Sequence, residues 1–136
     1  MNIAAVSKKF NLTTDTLRYY EKAGLIPPVT RDKNGYRAYS KQDLRWVYFA
    51  KVMRNAGISI QALTQYVALF QQGREETLEE RRKILFEQRA ILKQKIRDLN
   101  ETLNYLDYKI NGNGQHLAEF EKLLDPEETD VDLNNK

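Results

Sequence analysis

The sequence contains no cysteine and a single histidine. Disulfides, thiolate metal sites, redox-sensing thiols and Cys–His nucleophiles are therefore excluded, and His116 alone cannot build a metal site. Long apolar runs are also missing. The longest are a few residues, far short of the roughly 20 needed to cross a bilayer, and the first residues lack the basic-then-apolar order of a secretory leader. No membrane association is expected, and the cytoplasm is the default location. There is no Gly-rich phosphate loop, nucleophile elbow or metal-ligand cluster, which leaves acid–base chemistry to scattered carboxylates of the kind that usually sit on solvated helix faces. An enzyme is not expected, and neither is a cofactor.

What remains is a charged, helix-forming chain. At 136 residues it fits one ordinary domain, or a small domain with an extended element. Hydrophobic residues make up 41% and charged residues 30%, which points to a modest core. The net charge of +3 hides an asymmetry: residues 1–57 hold 11 Lys and Arg against 4 Asp and Glu, and residues 58–136 hold 11 against 15. A basic front and an acidic back suggest that the front meets a polyanion.

Ile3, Val6 and Phe10 share one face of a short helix, and Asn11 ends it by tolerating the left-handed conformation. Thr13 caps a second helix with Leu17 and Tyr20 inward and Leu12 at the turn. Two short helices joined this way form a helix-turn-helix. Gly24 and Pro27-Pro28 stop the second helix. Asn34-Gly35 between two extended pieces predicts a β-hairpin closed by a type I′ turn. Ser40 to Asp43 starts a third helix with a capping box. That helix carries Leu44, Val47, Tyr48 and Val52 on one face and Trp46, Phe49 and Met53 on another, which predicts packing on both sides. Ser59 caps a fourth helix striped by Ile60, Leu63, Val67 and Phe70 and closed by Gly73.

From Thr77 to Asn111 there is neither Pro nor Gly, and Leu78, Leu85, Leu92, Leu99 and Leu106 recur every seven residues. This is a coiled-coil seam, weak where its companions are Arg82 and Arg89 and fully apolar where they are Ile96, Leu103 and Ile110. Gly112-Asn-Gly114 ends the helix, a short amphipathic piece from His116 to Leu124 is expected to pack back, and Asp125 onwards reads as a disordered acidic tail. The expected fold class is mainly α, with a DNA-binding domain over 1–73, a dimerisation helix over 74–111 and a short helical segment with acidic tail over 112–136.

Three motifs in order, TLRYYE…GLI at residues 16–26, NGYRAYS at 34–40 and RNAGIS at 54–59, resemble the MerR family of bacterial transcriptional regulators over about residues 1–111. The resemblance implies a winged helix-turn-helix followed by a long helix that pairs antiparallel with a second subunit. The result would be a homodimer on a pseudo-palindromic stretch of double-stranded promoter DNA, acting on RNA polymerase indirectly through the promoter. The dimer contact would use Leu85, Leu92, Ile96, Leu99, Leu103, Leu106 and Ile110. MerR-like dimers bend and untwist a long promoter spacer, so activation is expected, with repression on the same fold as the alternative.

The residues themselves point the same way. Early positions of a recognition helix reach base edges, which makes Thr14, Asp15 and Arg18 the readers, with Tyr19 either sending its hydroxyl to a phosphate or packing as an aromatic with a solvated hydroxyl. In the hairpin, Arg31, Lys33, Tyr36, Arg37 and Tyr39 put basic and aromatic side chains in one ribbon of the kind that touches backbone or minor groove, with a merely solvated charged hairpin as the equal alternative for Arg31 and Lys33. Arg37 matches the family's wing arginine, and Arg54 its second wing. The family's metal- and redox-sensing branches use cysteines, and its multidrug branch appends a ligand-binding domain; neither is present in the sequence, and the effector is unknown. A coiled-coil adaptor or RNA-binding protein is the rival that the heptads alone permit. Ala4 and Ala5 stand where the family has a cap and a glutamate, so fraying of the first helix is expected.

Overall fold

The computed structural model describes residues 1–111 and 114–127. It has six helices among them: α1 (Ile3–Phe10), α2 (Thr14–Ala23), α3 (Lys41–Asn55), α4 (Ile60–Gln72), α5 (Leu78–Ile110) and α6 (Gln115–Leu123). They form two compact units, Met1–Leu92 and Lys93–Lys136, with the boundary inside α5. Gly112 and Asn113 of the expected terminator, and the tail from residue 128, lie outside the described residues.

Local chemistry sets the ends of the helices. Thr13, Ser40 and Ser59 each accept a backbone N–H of the first turn, and Ser40 and Asp43 form both halves of the capping box. Asn11 and Gly24 close α1 and α2 in the left-handed conformation, as their residue types favour. The first helix differs from expectation. It starts at Ile3, and its cap is Asn2, whose Oδ1 accepts the Ala5 N–H at 2.9 Å. The alanines at 4 and 5 lie inside the helix and have no capping to do.

The core of the first unit gathers Val6 from α1, Leu17 from α2, Leu25 and Ile26 after it, and Val47 from α3, all fully buried. Ile84, two turns into α5, packs against the same cluster. An aromatic group lies beside it. Trp46 meets Phe70 edge-on at 4.9 Å, Phe49 lies 5.3 Å from Tyr66, and the buried Arg81 guanidinium stands over the Tyr66 and Phe70 rings. The α4–α5 corner is fixed by Thr77, whose hydroxyl donates to Leu69 O at 2.8 Å, and by Arg81, which donates to Arg74 O.

Two expectations fail here. On α3, Leu44 and Val47 are covered, but Tyr48 and Val52 are exposed, because no described element of the chain lies over that side. The hairpin shrinks to one antiparallel bridge, Arg31 with Arg37. Asn34 does not adopt positive φ, since Asn11 is the sole non-glycine residue to do so among the described residues. Instead the Asp32 carboxylate accepts the N–H groups of Asn34 and Tyr36, and Gly35 alone takes the left-handed conformation, at φ 84°. The ladder stops at Thr30: its carbonyl accepts Ala38 N–H at 2.7 Å, but its own N–H goes to Asp43 instead of back across the pair.

In the second unit, α6 packs back on the end of α5, as expected. His116 stands edge-on to Tyr108 at 4.6 Å, and Lys109 Nζ lies 3.5 Å from the centre of the Phe120 ring.

Candidate nucleic-acid interface

On α2 the three expected readers form one group. Arg18 Nη1 donates to Thr14 Oγ1 at 3.3 Å and to Asp15 Oδ1 at 3.2 Å, which holds the guanidinium along the outer face of the helix. Asp15 is almost fully exposed, and Arg18 half exposed. Tyr19 is exposed next to them, whereas Tyr20 points inward, where burial pushes its phenol pKa up and the Arg54 charge opposes the shift.

The loop from 31 to 37 brings further basic groups to the same side. Arg18, Arg31, Tyr36 and Arg37 line a cleft of about 320 Å³, with Asn2 and the start of α1 on its other wall. Three guanidiniums, a phenol that is 72% exposed and the positive end of a helix dipole converge there, a combination that suits a phosphate oxygen. Lys33 is exposed in the turn beyond. Arg54 stands apart, in the last turn of α3, where Nη1 donates to Ile58 O in the following turn at 2.6 Å.

Tyr39 must be corrected. It is 3% exposed, belongs to the core cluster, and its hydroxyl is buried without a hydrogen-bond partner, so it is not on the surface with the other wing residues. Burial pushes its phenol up, against the lowering influence of Arg37. The reason is the chain's path. After the bridge at Arg37, Tyr39 turns in beneath the N-terminus, its N–H donating to Met1 O at 2.7 Å.

Two residues that the sequence did not single out hold this surface together. Glu21 on α2 accepts Arg37 Nε at 2.7 Å, Arg31 Nη2 at 3.5 Å and Val29 N–H at 3.0 Å. Burial of its carboxyl acts to raise the pKa, but the Val29 N–H and the two guanidiniums outweigh it and hold the group below the usual carboxylate range. Lys51 of α3 donates to Phe10 O, which satisfies a carbonyl at the end of α1. The signals for Glu21 were its place at the end of the TLRYYE motif and its charge, as one of 4 acidic residues in the basic front.

Residues 1–69 match the MerR HTH family regulatory protein family, and residues 44–108 match the MerR DNA-binding family. The chain belongs to the MerR family. Its residues 1–69 carry the helix-turn-helix of that family of regulatory proteins. Among curated relatives, the HTH-type transcriptional regulator AdhR of Bacillus subtilis is 53% identical over 92 residues, 68% of this chain and 65% of that protein. Slightly less than two thirds of that relative is therefore spanned. Among solved structures, a MerR family regulator from Listeria monocytogenes superposes with a TM-score of 0.81 at 45% identity, covering 91% of this chain and 93% of that one. A second, HiNmlR, a MerR family regulator lacking the sensor domain and bound to promoter DNA, gives 0.73 at 30% identity, with coverage of 90% and 91%. Among the described residues, no helix is long and apolar enough to cross a membrane.

Proposed function

We propose that this chain is a cytoplasmic, homodimeric activator that grips a pseudo-palindromic promoter spacer and distorts it. Residues 1–73 form the DNA-binding part and 74–111 the dimerisation helix. Thr14, Asp15 and Arg18 read base edges. Tyr19, Arg31, Lys33, Tyr36, Arg37 and Arg54 hold the backbone. The paired helices fix the distance between the two grips, and the energy of gripping goes into bending DNA, at a cost of a few kcal/mol. The observation that carries this is the cleft where Arg18 of the reading helix meets Arg31, Tyr36 and Arg37 of the wing. The promoter-bound relative at 30% identity supports the same partner.

The test starts from duplexes selected from a random pool. With six to ten phosphate contacts, affinity should fall roughly 10³–10⁵-fold between 50 and 200 mM salt. Arg37→Ala should weaken binding to every duplex, and Arg18→Ala should also relax preference at one defined base position per half-site, by about 1–3 kcal/mol. If Arg18→Ala leaves affinity and preference unchanged, α2 is not the reading helix. A reporter whose spacer is trimmed to ordinary length should lose its dependence on the protein. Undiminished activation of that promoter would replace distortion with direct recruitment of polymerase.

A further inference from the structure

The wing arginines are already bound before DNA arrives, and by an acid. One carboxylate on the reading helix holds Arg37, Arg31 and the backbone leading into the wing, at 2.7, 3.5 and 3.0 Å. Its side chain is only 12% exposed, beneath the guanidiniums rather than beside them. Arg37 gives its Nε to Glu21 and also lines the cleft with Arg18, and a guanidinium has four further N–H donors beyond the one on Nε. The arrangement costs attraction. A negative charge within 3.5 Å of two phosphate-seeking groups weakens the pull on any polyanion. What it supplies is geometry, because the rotamers of two long side chains are fixed ahead of binding and the wing is tied to the helix that reads bases.

We propose that Glu21 is a positioning residue that trades general affinity for specificity, locking the wing to α2 so that phosphate contact and base contact occur in one register. This rests on the reading of Arg31 and Arg37 as phosphate contacts. It sets Glu21 apart from an acid that merely supports the fold, because the effects on the two kinds of DNA differ in sign.

The experiment uses the full chain and two duplexes of equal length, one selected and one scrambled, across a salt series. Glu21→Gln keeps the shape and an oxygen for the Val29 N–H but removes the charge. Binding to the scrambled duplex should hold or strengthen, since each chain gains one positive charge. Binding to the selected duplex should weaken about tenfold, near the low end of what one mismatched base pair costs. Equal losses on both duplexes with a lower melting temperature would make Glu21 a support for the fold only, and an unchanged preference ratio would also overturn the proposal. Should Glu21→Gln fail to fold, Arg37→Lys keeps the charge but not the Nε donor, and the preference should fall without a change in net charge; an unchanged preference overturns the proposal. Where both variants fold, the double variant should lose no more preference than the worse single one, and additive losses would mean that the two side chains do not act together. Failure of the underlying reading looks different: a wild-type chain with no preference between duplexes, or an Arg37→Ala chain that binds normally, would remove the DNA interface and the proposal with it.

Discussion

The two units treat their apolar residues in opposite ways. Up to Leu92 a core closes within the chain, with Val6, Leu17, Leu25, Ile26 and Val47 sealed from solvent, although Tyr48, Leu78, Phe86 and Ile91 stay exposed. From Lys93 on, Ile96, Leu99, Leu103, Leu106 and Ile110 stay open, Leu99 at 69% exposure. Both stretches are helical and amphipathic, so helix formation does not separate them. The difference lies in what each stripe faces. The first four helices close on one another, whereas the heptad stripe of α5 repeats along a single helix and requires a second helix of matching period to cover it. A folded reading head is thus built from one chain, and the proposed distance between two heads from two.

The strongest way to break this contrast is Leu99→Glu. It would place an unpaired charge in the seam of the proposed dimer, where burial is costly, but leave a single chain undisturbed, since Leu99 is exposed there. Sedimentation should show monomers, operator affinity should drop by at least about a hundredfold through loss of the linked second site, and the melting of the first unit should change little. A dimer with full affinity would move the interface off this stripe.

A change of pH sharpens the contrast from the other side. Asp43 is buried at the base of the wing, accepting Ser40 N–H at 2.9 Å and Thr30 N–H at 3.1 Å. Burial acts to raise its pKa, but these donors outweigh it and hold the carboxyl below its ordinary value of about 3.9. A carboxyl depressed in the folded state contributes stability above its unfolded pKa, and that contribution is lost as pH falls through the folded one. Asp43→Asn should therefore lower stability by about 1.5–3 kcal/mol near pH 7, with the gap to wild type closing below about pH 4. Dimer dissociation should be unaffected. Thermal melts showing a gap constant from pH 7 to 3 would mean that the charge of Asp43 plays no part.

The sequence was most informative where structure is local. Thr13, Ser40, Ser59, Asn11 and Gly24 announce helix ends because each acts on residues within a few positions. The wing was misjudged because the Thr30 N–H that would extend its ladder goes to the Asp43 carboxylate 13 residues away, and strand propensity carries no trace of that. Glu21 escaped notice for the same reason, its guanidinium partners lying 10 and 16 residues on. Tyr39 shared a ribbon with Arg37 in the sequence, yet its pairing with Met1 across 38 residues buries it. Of the reading group, Thr14, Asp15 and Arg18 were legible because spacings of three and four place side chains together on any helix.

The smallest expected effect concerns the start of α1, which the sequence marked as frayed and the structure caps. Asn2→Ala removes the acceptor for the Ala5 N–H, and because the first turn of α1 contains no acidic residue, no other side chain there compensates the helix dipole. The cost should be about 1 kcal/mol, a drop of about 4–8 °C in melting temperature for a unit of this size. Faster hydrogen exchange should be confined to the first turn of α1. Since Asn2 also lines the cleft, operator affinity should fall slightly, with no change in base preference. If stability does not change, the chain's entry is held by the other contacts at that end: Tyr39 N–H on Met1 O at 2.7 Å and the Met1 ammonium on Tyr39 O at 3.2 Å. In that case the inward turn of Tyr39, rather than the cap, is what keeps α1 in place against the wing.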